Sequence, residues 1–205
     1  MTTLTRDDAI SRIAELRLPK LDDEELYFAL TENANIPDVD LPDDLRQQVE
    51  RAKVKDLHDP RFIPLLIARQ SERLREYTNR YLSECLEAET GESVVLTGAY
   101  TPLPAICPCC GAASLEEQGV WEICTVCWWE DDGQGDHNAD DVLGGPNGGQ
   151  SLTRARINYL THGIFDPKRD DLRAYQVPRY AYAERRRFRM TADGKGVIEV
   201  PLDSA

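Results

Sequence analysis

A chain of 205 residues, 41% of them apolar, is long enough for one large or two small domains with real cores, while 13 Gly, 12 Pro and a mean hydropathy of −0.51 point to a large share of loop. No apolar run approaches the ~20 residues that span a bilayer, and the opening residues lack the basic-then-apolar order of a signal peptide, so a cytoplasmic protein with no membrane association is expected. The net charge of −13 is concentrated: from Tyr81 to Thr153 there is no Lys or Arg against thirteen acidic residues, a field that repels nucleic acid and favours a basic protein partner or a cation, with solubility as the competing explanation.

Residues 1–90 read as a helical region. Thr5 followed by Asp8 resembles a capping box, and Ile10, Ile13, Ala14 and Leu16 supply an apolar helical face. Asp22 with Glu25 marks a second start leading into Leu26, Tyr27 and Leu30. Pro42 suits a first helical position, with Leu45 and Val49 behind it. The longest helix is expected from about Asp59 to Ala88, its stripe being Ile63, Ile67, Gln70, Leu74, Tyr77, Tyr81 and Cys85, and Gly91 its stop. Cys85 on that stripe reads as a small buried apolar side chain rather than a ligand.

Residues 91–205 have a different texture. Ser93–Thr97 suits a strand, and Ser151 caps a helix through Leu152, Ala155, Ile157, Tyr159 and Leu160 that ends near Gly163. Phe188–Met190 and Val197–Val200 flank Asp193-Gly194-Lys195-Gly196 and read as a β-hairpin. The fold class is therefore α+β: an N-terminal helical region, then a small zinc-ribbon or knuckle module with short antiparallel strands, one helix and a C-terminal hairpin.

Cys107-Pro108-Cys109-Cys110-Gly111 precedes Cys124-Thr125-Val126-Cys127 by a spacer of 13 residues, Gly111 to Ile123, which is expected to form a small hairpin. Reduced thiols in two such pairs suit a tetrahedral ion with Zn–S bonds of ~2.3 Å, held by Cys107, Cys110, Cys124 and Cys127. An iron centre shares this ligand set; zinc is the default for short knuckles in the cytosol. Four closed sulfur positions leave none for water, so the ion is read as structural. Cys109 lies inside the first knuckle, so a register using it competes with Cys107/Cys110. The two-residue spacing favours Cys107 with Cys110, and Cys109 is then read as a bystander rather than an exposed thiol beside the ion.

The chain resembles the cysteine-rich CPCC family of bacterial proteins at Cys107–Gly111, at Trp121-Glu122-Ile123-Cys124 through Cys127-Trp128-Trp129-Glu130-Asp131-Asp132-Gly133, at Gly144-Gly145-Pro146-Asn147, and at Ser151-Leu152 with Ala155-Arg156. Agreement runs from about Leu103 to Pro178, with Thr125 standing where a proline is usual. The resemblance implies a small zinc-binding module. Some proteins of this kind look like companions of bacterial toxins, so it also implies toxin neutralisation as a candidate role.

Trp128, Trp129, Glu130, Asp131 and Asp132 follow the fourth ligand directly and form the expected partner-binding strip, with tryptophan anchors inside an acidic field. The function expected is a zinc-stabilised binding or inhibitory protein, concretely an immunity protein masking a basic toxin domain. No catalytic residue is assigned, and an enzyme is not the favoured reading. The alternative is a metal-dependent hydrolase or nuclease using Glu130, Asp131, Asp132 and His137 of the acidic loop 130–141. A solvated loop in which Asp131, Asp132 or Asn147 hydrogen-bonds loop amides is the simpler account of those residues. Arg185-Arg186-Arg187 with Arg189 is the main basic patch, expected to pair with the acidic middle of the chain.

Overall fold

The structure, a computed structural model, describes residues 2–31 and 37–202. The chain divides into two compact units, Met1–Tyr100 and Thr101–Ala205. Among the described residues no helix is long and apolar enough to cross a membrane. The architecture is mixed α+β: N-terminal helices, then a cysteine-cluster module, one helix and an antiparallel hairpin.

The first unit opens with a strand, β1 (Thr2–Thr5), that runs straight into helix α1 (Arg6–Arg17). Thr5 makes the transition: its hydroxyl accepts from the Asp8 amide at 3.1 Å and donates to the Asp8 carboxylate at 2.6 Å. Ala9, Ile10, Ile13 and Ala14 form the buried face of α1. Helix α2 (Asp23–Thr31) begins with a reciprocal box in which Asp22 and Glu25 each accept the other's amide at 2.9 Å. Helix α3 (Asp43–Glu50) starts one residue later than expected, with Pro42 as its N-cap. Its Leu45 and Val49 join Leu26, Leu30, Phe62, Leu65 and Leu66 in one core cluster.

The single long helix expected over residues 59–88 is two helices. After a 3-10 turn at Pro60–Phe62 come α4 (Ile63–Arg75) and α5 (Asn79–Thr90). Thr78 is extended and caps α5, accepting from the Tyr81 amide at 3.3 Å. The break is held by Arg6, whose guanidinium donates to the carbonyls of Arg75 (2.8 Å) and Tyr77 (2.7 Å) and to Asn79 Oδ1 (2.6 Å). Apolar spacing alone does not reveal this, because Leu74, Tyr77, Tyr81 and Cys85 keep a helical period across the interruption. The buried face of α4 also differs: Leu65, Leu66, Arg69 and Leu74 point inward, and Ile63 is 43% exposed. Gly91 ends α5 in the left-handed region at φ +73°, as expected. Cys85 is buried in the core cluster of α1 and α5.

Strand β2 (Val94–Thr97) pairs in parallel with β1, in register from Thr2↔Val94 to Thr5↔Thr97. The sequence reading contains no counterpart of β1, whose polar Thr-Thr-Leu-Thr carries no alternating signal.

In the second unit the expected short strands around the cysteines reduce to single antiparallel bridges, Ala105↔Leu115 and Ile123↔Glu130. The 111–123 spacer is therefore not a hairpin of its own; each knuckle closes on its own flanks. Helix α6 (Leu152–His162) has Ser151 as N-cap and left-handed Gly163 as its stop. The hairpin is β3 (Arg187–Met190) with β4 (Val197–Val200), paired from Arg187↔Val200 to Met190↔Val197.

Candidate metal centre

The two knuckles repeat one backbone design. In the first, the Cys107 amide donates to Ala112 O at 2.8 Å and the Gly111 amide to Cys107 O at 3.0 Å. In the second, the Cys124 amide donates to Trp129 O at 3.0 Å and the Trp128 amide to Cys124 O at 2.7 Å. The residue after each second cysteine must then turn left-handed: Gly111 has φ +80° and Trp128 φ +65°. Gly111 also has a packing reason. A Cβ there would lie 2.0 Å from Arg186 O, because the Gly111 carbonyl accepts from the amides of both Arg185 (2.9 Å) and Arg186 (3.0 Å). The residues leading into β3 are thus fastened to the first knuckle.

This geometry brings Cys107, Cys110, Cys124 and Cys127 together. Their sulfurs all lie within 4.8 Å of one another, and the Cys107–Cys127 and Cys110–Cys124 pairs are 3.6 Å apart. The edge of a tetrahedron with 2.3 Å bonds is about 3.8 Å, so the donor set fits one tetrahedral metal ion. A disulfide needs ~2.05 Å, and all six cysteines are free thiols. The four side chains are buried to 1% exposure or less.

Burial pushes the Cys107, Cys110 and Cys127 thiols well up. Burial acts on Cys124 too, but hydrogen bonds from the three other thiols and from Ser114 outweigh it and hold Cys124 well below the ordinary thiol range. Ser114 Oγ donates to Cys124 Sγ at 3.0 Å. A positive ion at the centre would take all four as thiolates. Cys109 is completely buried and lies outside the four-sulfur group, so it is not an exposed thiol beside the ion.

The shell around the sulfurs explains much of the remaining motif. Trp129 is fully buried, edge-to-face with Phe165 at 6.2 Å, and Trp128 is half-buried against Tyr175 at 6.4 Å. The Phe165 amide donates to Cys127 O, and Gln176 Nε2 to Val126 O at 2.7 Å. Arg156, 5% exposed, donates to Pro108 O at 2.9 Å and to Asp136 at 2.6 Å, and lies over the Phe188 ring at 4.3 Å. Arg186 reaches the other Asp136 oxygen at 2.6 Å and Glu199 at 2.7 Å. Burial raises the Asp136 carboxyl, but the two guanidinium groups outweigh that and hold it below the usual range. The basic run near the C-terminus therefore pairs with the acidic middle through Arg186, while Arg187 pairs with Glu184 at 2.7 Å.

The acidic loop is built from carboxylates that cap backbone. Asp131 accepts from the amides of Gly119 (2.9 Å) and Gly133 (3.3 Å). Its burial nevertheless leaves its carboxyl raised. Asp132 accepts from the Gln134 amide and from Asn147 Nδ2, both at 3.1 Å. Asn147, 3% exposed, accepts from the Glu130 amide at 3.1 Å and donates to the Glu130 carbonyl at 2.8 Å, pairing with that residue as a neighbouring strand would. His137 is exposed on the 3-10 turn Asp136–Asn138. Among the described residues the only group of His, Cys, Asp or Glu that could hold a metal is the four cysteines. Glu130, Asp131, Asp132 and His137 form no such group.

Of the strip expected to meet a partner, Trp129 and Asp131 are buried, leaving Trp128, Glu130 and Asp132 partly exposed. The most exposed indole is Trp121, at 56%. Sequence reasoning misses the contacts of Ser114 and Arg156, because a hydroxyl four residues after a cysteine and a helix arginine carry no signature of them. Asn147 bonds the loop backbone as expected. No curated protein and no solved structure matches the chain. Residues 105–178 match the family model described as cysteine-rich CPCC, and this segment, with its four converging thiols, is a CPCC domain.

Proposed function

We propose that Cys107, Cys110, Cys124 and Cys127 hold one structural zinc ion, and that the domain it stabilises is a protein-binding, inhibitory module: an immunity protein that masks a basic toxin domain. The observation that carries the first part is the closure of the sulfur cluster, whose buried tetrahedral set has no open position for water. Zinc is favoured over iron because a redox-inert ion suits a centre whose role is to hold two loops together. Metal analysis and replacement by Co²⁺, whose tetrahedral thiolate spectrum is diagnostic, test this. A red, iron-loaded protein would contradict it. Cys110→Ser is expected to abolish metal binding and Cys109→Ser to preserve it; the reverse result would mean the ligand register is wrong.

The binding role is supported by the acidic field around a rigid centre. Glu130 and Asp132 are partly exposed, and no Lys or Arg occurs from Tyr81 to Thr153. Complementary charge speeds capture of a basic partner and makes it salt-sensitive. Co-purification with the product of the adjacent gene is the direct test. A neighbour that is neither toxic nor bound removes the immunity reading.

A further inference from the structure

Five large apolar side chains of the CPCC domain stand in solvent on two neighbouring segments: Val120, Trp121 and Ile123 before the second knuckle, and Val142 and Leu143 before the Gly144-Gly145 turn. Trp121 and Ile123 alternate across Glu122, whose side chain instead accepts the Glu116 amide at 2.7 Å. The two segments approach at Gly145, where Trp121 Cζ3 lies 4.0 Å from the position a Cβ would take. Single exposed apolar residues are ordinary; a cluster around an indole marks an interaction surface.

Trp121 is held outward under strain. Its φ is +68°, rare for a bulky residue. Asp131 fixes that backbone from both ends: its carbonyl accepts from the Trp121 amide at 2.9 Å, and its buried carboxylate accepts from the Gly119 amide at 2.9 Å. Asp131 is therefore a positioning residue for the indole rather than a contact.

The surround is acidic. Glu116, Glu117, Asp140 and Asp141 are exposed, and Glu130 and Asp132 partly so. Of the cations that follow in the chain, Arg154 is exposed on the first turn of α6, and Arg156 and Arg186 are both engaged by Asp136. Resting on the protein-binding reading above, we propose that Trp121, Ile123, Val142 and Leu143 are its docking surface, and that the occupant is a cationic amphipathic segment of a partner protein. Apolar side chains of that segment cover the strip, and its Lys and Arg face the acidic rim.

The test uses the zinc-loaded full chain and three synthetic peptides: a Lys/Leu amphipathic helix, its Glu/Leu counterpart, and a Lys-rich peptide without apolar residues. Tryptophan fluorescence and calorimetry are expected to show the first binding at least tenfold tighter than either other, with affinity falling as salt rises. The pair Val142→Ser with Leu143→Ser lies in an exposed loop, so fold and metal content stay intact while Lys/Leu affinity drops tenfold or more. Equal binding of all peptides, or none, overturns the proposal, as does wild-type affinity in the serine variant. Concentration-dependent dimerisation lost in that variant would assign the strip to a second copy instead. An adjacent gene product retained undiminished by the serine variant overturns the surface alone and leaves the protein-binding reading standing.

Discussion

Gly111 and Trp128 occupy the same position in the two knuckles, both left-handed, and at Gly111 a Cβ would also meet the Arg186 backbone. Gly111→Ala should therefore cost more than ~3 kcal/mol, from strain plus collision with Arg186 O. Gly163→Ala, equally left-handed but facing open space, should cost about 1 kcal/mol. Thermal melts of the metal-loaded variants compare the two. Ser114→Ala removes a hydrogen bond to the Cys124 sulfur, and metal affinity should fall about tenfold in chelator competition. The four cysteines that converge were legible from their spacing. Ser114 was not, because the sulfur it bonds is brought near it only by the closing of the loops. Asn147 was legible as a residue that bonds loop amides, though its partner Glu130 was not.

At the scale of elements, Arg6 decides where one helix becomes two. Its three acceptors lie on residues 75, 77 and 79, at the end of α4 and the start of α5. Arg6→Ala leaves those acceptors without their cation and should destabilise the first unit by about 2–4 kcal/mol, read from urea unfolding by circular dichroism. Arg6→Lys should not rescue it, since one ammonium cannot span the guanidinium's fork. The caps at Thr5, Asp22, Ser151 and Gly163 were readable because each is a contact within four residues. The break at residues 76–78 and the parallel β1–β2 pair were not, because both depend on partners about 70 to 90 residues away.

For the whole molecule, the metal is expected to matter to one unit only. The core clusters of the first unit contain none of the four ligands, whereas the second unit's loops converge on the sulfurs. Chelation should abolish proteolytic resistance in Thr101–Ala205 while leaving the helical signal of Met1–Tyr100. Metal binding displaces protons from buried thiols, three of which burial holds well above the ordinary range, so affinity falls as pH falls because protons compete for the sulfurs. Calorimetry in buffers of different ionisation heat counts the protons released. The sequence by itself determined what local chemistry suffices to specify: helix caps, the hairpin, and which four cysteines form the cluster. Only the tertiary structure decided which tryptophan faces water. Trp129 and Trp121 are chemically alike in an acidic stretch, and their fates differ because one backbone path turns under Phe165 while the other is pinned outward by Asp131.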